Sequence, residues 1–517
     1  MTILFSMRHA GALRNFTSSI EELARRGHRV HLTFLTHDKL DDDRLLNDLR
    51  SRYPSITGGE VRAMGYSRWL GLARNVRALA DYIQYAAPEF AHAHALRQRA
   101  ELRVPRRLRS RLRLPVFQRT RVRRAIARML EAIERALPAD ATIVAEIQDQ
   151  QPNLVLVTPL VDLGSDQIEY VKAARRLGIR TGLCVHSWDN LTTKGLIRVI
   201  PDRIFVWNDA QRREAVRLHN AAAAQVVVTG APVYDQWFAR RPSSTRDEFC
   251  SRVGLGADRP FFLYLCSSPF IAPDEIGFIT RWIAAVRSAP DPDVRAAGIL
   301  IRPHPSADPG MWDAFDTGRF EQVVVWPAGG ANPVDGASKR DYFDSMYHAV
   351  AAVGINTSAQ IEAGIVGRRV YSVRVPECLG TQEETLHFQY LLRESGGLLH
   401  MAETLDQHVA ALGDALRGDD AVRGEDAARL REFVRGFVRP GGLDVPATPR
   451  LVDAIEVLGR EPVMRPGRLP IRYALLRMAL LPLAALTPAK AGKLRAFRTR
   501  TAGTGGVVDQ RRAGAGA

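Results

Sequence analysis

Gly354-Ile-Asn-Thr-Ser-Ala-Gln-Ile-Glu-Ala-Gly-Ile-Val-Gly-Arg-Arg-Val370 is the stretch that decides the fold. An apolar run over residues 349–354 enters it, small polar residues turn the corner, and the spacing predicts a helix over 358–366. Thr357 or Ser358 is placed to cap that helix, with Glu362 reaching back over its first turn. A further strand is expected over 369–373. Strand, polar turn, helix and strand in succession are the unit of a parallel sheet. Free backbone N–H groups and the positive helix end would then face a crevice, which suits phosphate, while the Glu362 carboxylate suits a ribose diol. The same segment also reads as an ordinary capped helix with no ligand.

Moving outward, strands are expected over 260–266, 298–302 and 323–326, with a helix over 274–288. Arg302-Pro-His-Pro follows the second of these strands. Its prolines hold His304 at a carboxyl strand end, the edge where open α/β sheets bind ligands. There His304 would contact a diphosphate oxygen and Arg302 would offset its charge.

The first half repeats the alternation, with strands over 2–6, 29–35, 153–158, 180–185, 204–207 and 225–229 and helices over 12–26 and 165–177. The domain reading is an N-terminal Rossmann-like unit over 1–235, a linker over 236–258, a second Rossmann-like unit over 259–460 and a basic tail over 461–517. Residues 69–137 read as a helical, arginine-rich insertion. At 517 residues, two domains plus extensions are the natural expectation.

His186-Ser-Trp-Asp-Asn-Leu-Thr-Thr-Lys follows an apolar strand with polar and aromatic side chains that suit a site better than a core. Asp189 is read as the general base that takes a hydroxyl proton, with His186 as the competing base. Lys194 would offset phosphate charge and Trp188 would stack on a sugar. The opening loop adds Arg8 and His9 at another strand end facing the same cleft.

Net charge is +16 and the isoelectric point about 10.1, so an anionic partner is expected. Thirteen arginines against the single acid Glu101 lie between Arg97 and Arg128, and basic residues return at the C-terminus. Clustering in two extensions favours an anionic membrane surface over a nucleic-acid groove, and no nucleic-acid motif is found. Residues 469–488 are apolar but interrupted by Arg472, Arg477 and Pro482. They read either as an amphipathic segment in the membrane interface, flanked by Lys490, Lys493 and Arg495, or as a helix docked on the body. Residues 503–517 read as disordered. Four scattered cysteines and an N-terminus without a leader pattern point to the cytoplasm, with peripheral attachment to the inner membrane face as an extension of that reading. No metal site is expected, and the Asp41-Asp42-Asp43 run reads as a solvated loop.

In their order, the N-terminal strand, His186-Ser-Trp-Asp-Asn, Arg302-Pro-His-Pro, Asn356-Thr-Ser-Ala-Gln-Ile-Glu and Gly380-Thr-Gln-Glu-Glu-Thr-Leu-His-Phe resemble bacterial proteins of the GT-B fold. The nearest such relatives are CDP-glycerol glycerophosphotransferases, capsule glycosyltransferases and UDP-N-acetylglucosamine 2-epimerases. The resemblance spans roughly residues 1–460. It implies that the second half holds a nucleotide diphosphate, with Asn356, Thr357 and Ser358 on phosphate, Glu362 on ribose and His387 as a further donor contact. In the glycerophosphotransferases a Trp-His-Gly-Thr-Pro loop supplies the base; here Asp189 follows Trp188, a departure from that pattern. Asn190 joins the acceptor side. The implied function is a metal-independent, cofactor-free transferase. It moves a glycosyl or glycerophosphoryl group from a nucleotide-activated, CDP-glycerol-like or sugar donor to a sugar, polyol or lipid-linked acceptor in cell-envelope synthesis. A UDP-sugar 2-epimerase and a non-catalytic binding protein of the same fold are the alternatives.

Overall fold

The computed structural model describes residues 1–487 apart from 38–42, 63, 66, 92, 113, 162–164, 314, 329, 331–332, 334 and 418–419. The expectations for Asp41 and Asp42, for Lys490, Lys493 and Arg495, and for residues 503–517 therefore lie outside the described residues.

Two parallel sheets carry the chain. The first comprises β1 (Thr2–Met7), β2 (Arg29–Phe34), β3 (Ile56–Val61), β4 (Leu154–Thr158), β5 (Arg180–Cys184), β6 (Arg203–Val206) and β7 (Val226–Val228). The second comprises β8 (Phe261–Leu265), β9 (Gly298–Arg302), β10 (Val323–Val325), β11 (Ala351–Val353), β12 (Arg369–Val373) and β13 (Leu399–Ala402). Strand order is β3-β2-β1-β4-β5-β6-β7 in one and β10-β9-β8-β11-β12-β13 in the other. Strands β4, β8 and β9 are buried along their whole length, as strands covered by helices on both faces require. The strand order of each sheet reverses once, between the parallel neighbours β1 and β4 and between β8 and β11. Ligands of open α/β sheets collect at the carboxyl ends beside such a reversal. Of the loops that the sequence singled out, those after β1 and β11 lie at these reversals, and those after β5 and β9 lie one strand away.

Helices Leu70–Tyr85, His94–Arg103, Arg106–Leu112, Pro115–Gln118 and Thr120–Ala136 form the insertion, with their own apolar core. A buried ion-pair network joins it to the first domain. The fully buried Arg77 guanidinium lies against Glu134 (2.9 Å) and Glu169, and Lys172 lies 3.0 Å from Glu134.

The domain boundaries differ from the sequence reading at two points. The segment expected as a linker contains helix Arg246–Val253, capped by Thr245 and Glu248, whose Phe249, Cys250 and Val253 join the core of the second domain. Helix Ala447–Arg460, assigned to the second domain, crosses back: Leu451, Val452, Ile455 and Leu458 pack with Ile3 and Phe5 under the first sheet. Its apolar stripe carries no mark of which sheet it will cover. Asp235 secures the return, accepting from Arg439 (2.7 Å), Ala447 N (3.0 Å) and Thr448 N (2.6 Å).

Candidate functional site

The loop after β5 folds on its own side chains. Asn190 accepts from the backbone N–H groups of His186 (3.1 Å) and Ser187 (3.2 Å). Asp189 accepts from the Ser187 hydroxyl (2.5 Å) and the Thr193 hydroxyl (3.0 Å). Burial by itself would raise the Asp189 carboxyl, but the charges of Lys194 and His387 and the Ser187 hydrogen bond hold it well below the usual carboxylate range. Asp189 is thus a firmly ionised carboxylate and a weak base. His186 is pushed down to about 3 by burial and then by Lys194, partly opposed by Asp189, and is neutral at physiological pH. The insertion fixes the following residues: Asp81 accepts from Leu196 N (2.9 Å) and pairs with Arg198.

Two residues expected on the acceptor side are not there. Trp188 is 4% exposed and packs edge-on against His387 (centroids 4.7 Å) and Phe437 (6.5 Å), so its faces belong to the interdomain core and not to a sugar. Asn190 is buried and holds the loop. His387 does cross between the domains. Its Nδ1 lies 3.2 Å from the Thr192 hydroxyl, and burial pushes it down to about 4.

On the second domain, the predicted turn and helix appear. The helix is Ala359–Ile365; the Thr357 hydroxyl accepts from Ala359 N (3.4 Å), whereas Ser358 and Glu362 make no cap hydrogen bond. Gln360 braces the turn before the helix, accepting from Thr357 N (3.2 Å) and donating to the Gly354 carbonyl (3.0 Å). Asn356 is buried and donates to the Thr381 carbonyl, so its amide ties two loops together and is not presented to a phosphate. Thr357 is half-buried and Ser358 exposed on the crevice turn.

Glu362 accepts a 2.7 Å hydrogen bond from the Tyr342 hydroxyl. Burial raises it to about 7, opposed by that bond and by Arg14 and Arg240. Arg302 is 6% exposed, paired with Asp341 (3.2 Å) and set over the Tyr342 ring (4.8 Å). Its charge is already neutralised, so it stands behind Tyr342 and not on a diphosphate. His304 accepts from the backbone N–H of Ser306 at Nδ1 (3.1 Å), which leaves the proton on Nε2. Burial, then Arg14, push it down to about 4.

Arg14 is the residue that the sequence reading missed. It lies on the 3-10 helix Ala10–Asn15 just after β1, and its charge acts on His186, His304 and Glu362 together. The charge of a first-domain guanidinium therefore bears on side chains of both domains. His9, from the same loop, also lowers His186, while Arg8 is exposed at the rim. Its position at a strand's carboxyl end was the available signal, obscured because residues 12–26 read as one amphipathic helix. A cavity of about 250 Å³ adjoins the site, lined by Asp189, Lys194 and His387, by Phe270 after β8 and by Arg99 of the insertion.

The structure is similar to several solved proteins. They include a glycosyltransferase from Rickettsia africae (9% identity, TM-score 0.51, covering 89% of this chain and 99% of that one). A putative UDP-N-acetylglucosamine 2-epimerase from Listeria monocytogenes has 12% identity and a TM-score of 0.50, with 90% and 98% covered. Anabaena HepE in complex with UDP has 10% identity and a TM-score of 0.50, with 88% and 100% covered. No family model and no curated protein sequence matches the chain. The two doubly wound sheets facing a cleft are the GT-B-like fold. At 9–12% identity these likenesses are likenesses of fold.

Proposed function

We propose that the protein is a transferase that moves a glycosyl or glycerophosphoryl group from a nucleotide-diphosphate donor to a hydroxyl acceptor. The observation that carries this reading is Arg14, which brings positive charge to Glu362 and His304 on one side of the cleft and to His186 on the other. A diphosphate seated there would accept from Arg14, from the His304 Nε2–H and from the Thr357–Ser358 turn. Glu362, held by Tyr342, would accept from the ribose hydroxyls.

His186 is the better base of the two candidates, because Asp189 is too acidic to hold a proton. A bound diphosphate cancels the positive field of Lys194 and Arg14 and so raises His186 towards the range where it accepts a hydroxyl proton. Asp189 then stabilises the imidazolium. The leaving nucleotide (a nucleoside diphosphate when a glycosyl group moves, a nucleoside monophosphate when glycerophosphate moves) needs no metal on this reading, since cationic and N–H donors surround it. The acceptor hydroxyl would approach from the cavity lined by Lys194 and Arg99.

The neighbours named for UDP or for 2-epimerisation support a uridine diphosphate donor, and the Listeria likeness favours a second reading, a UDP-sugar 2-epimerase. The test is a thermal-shift screen against UDP, CDP, GDP and their sugars, followed by product analysis with donor alone. A selective rise with one diphosphate supports the donor site. Interconversion of sugars without acceptor replaces the transferase with the epimerase, and silence towards every diphosphate overturns both.

A further inference from the structure

The insertion and the C-terminal segment meet on one side of the molecule. Helix Ile471–Ala479 lies against helix Thr120–Ala136: Arg477 Nε donates to the Ala136 carbonyl (2.6 Å) and Arg135 reaches the Tyr473 hydroxyl (3.4 Å). Tyr473, Leu476, Leu480 and Ala484 close over the core of the insertion. That uses one face of the segment. On the other, Ile471, Leu475 and Met478 are 78%, 56% and 58% exposed, at the four- and three-residue spacing of a single helical stripe. Leu481, Leu483 and Leu486 beyond it are exposed as well. A helix seated by one apolar face gains nothing in the fold from a second one in water, and such a patch marks an interaction surface.

The charge around this stripe is mostly positive, and the exposed acid of helix Thr120–Ala136, Glu131, is paired with Arg135 (2.5 Å). Residues 462–487 contain Arg465, Arg468, Arg472 and Arg477 and no acid. The neighbouring helix exposes Arg121, Arg124 and Arg128 beside the exposed Met129. A second copy of the chain would set these arginines against one another, whereas a surface of lipid phosphates complements them. No helix among the described residues is long and apolar enough to cross a membrane, so the contact is lateral.

We infer that the exposed stripe Ile471–Leu475–Met478, with the arginines of helix Thr120–Ala136, docks the protein on an anionic lipid surface. The stripe sinks into the headgroup boundary and the guanidinium groups take lipid phosphates. This docking stands independently of the donor chemistry. Because the insertion also lines the cavity beside Asp189, it sets the proposed acceptor side of the cleft next to the membrane.

Flotation of the full chain with phosphatidylcholine vesicles, with and without phosphatidylglycerol, tests the inference. Binding is expected only to the anionic vesicles, weakening as salt rises. Leu475→Glu/Met478→Glu is expected to lower it by about tenfold or more while leaving the melting temperature and the response to nucleotide unchanged. If that pair lowers the melting temperature, Arg121→Gln/Arg124→Gln/Arg128→Gln carries the test with the same readout. Wild-type protein that fails to float, floats equally on neutral vesicles, or floats unchanged in the variants overturns the inference. So does a concentration-dependent dimer abolished by the same substitutions, which would assign the face to a second copy.

Discussion

Glu362 and Arg14 exert their effects across the cleft through charge. Because burial holds Glu362 near 7, a nucleotide that needs its carboxylate as acceptor is expected to bind more weakly as pH falls from 8 to 6. Glu362→Gln is expected to remove that pH dependence and to cost about tenfold or more in affinity, as hydrogen bonds to a charged group contribute about 1.5–3 kcal/mol. Isothermal titration with the responding diphosphate at several pH values measures both; an unchanged profile removes Glu362 from the site. Arg14→Ala takes a positive charge away from His186 and His304, so both imidazoles should titrate at higher pH. Two-dimensional NMR of the histidine rings follows this directly, and the same variant should lose diphosphate affinity. These two roles were unequally legible. Glu362 stands at a fixed offset from a strand end, whereas Arg14 looks like one more solvated position on an amphipathic helix until the second domain is placed opposite it.

Among the elements, the strands of highest apolar content were readable and two others were not. Strand β3 contains Gly58 and Gly59, both with positive φ, and a Cβ at Gly58 would run into the Leu32 carbonyl. Glycine weakens the alternation by which a strand is recognised, although close approach to β2 requires it here. Strand β13 carries His400 between its apolar residues and is buried only at Leu399, so no apolar run marks it. The insertion was legible as helical, but its attachment through Arg77 was not, since Arg77, Glu134 and Glu169 are distant in sequence. Against the upward pull of burial, Arg77 and Lys172 hold Glu134 well below its usual range. A depressed carboxylate contributes stability that is complete above its unfolded value, about 4.3, and is lost as pH falls towards the folded one. Glu134→Gln is therefore expected to destabilise the protein at pH 7 by about 3–5 kcal/mol, with a smaller difference in acid. Urea denaturation at pH 7 and pH 4 checks the sign.

For the whole molecule, Asp235 holds the returning chain between the domains, and Arg439 is buried against it. Asp235→Ala leaves that guanidinium without its carboxylate and is expected to cost about 3–5 kcal/mol, seen as a lower urea midpoint. If the cleft closes on its donor, small-angle scattering should record a smaller radius of gyration with the responding diphosphate than without it. An unchanged radius would mean that the domains already hold their closed arrangement.

By itself, the sequence determined the alternation of strand and helix, the two doubly wound halves, the basic insertion and the loops that carry polar chemistry. Each of these follows from local periodicity and from residues that end or cap an element. Only the tertiary structure decided which polar side chains face the cleft. Trp188 and Asn190 follow His186 in one segment, Asn356 lies on the turn before the helix of Glu362 and Arg302 ends β9, yet packing turns these four inward to hold loops and domains together. The direction of a side chain at a strand end depends on what the opposite domain presents, and that contact is not encoded in any local pattern.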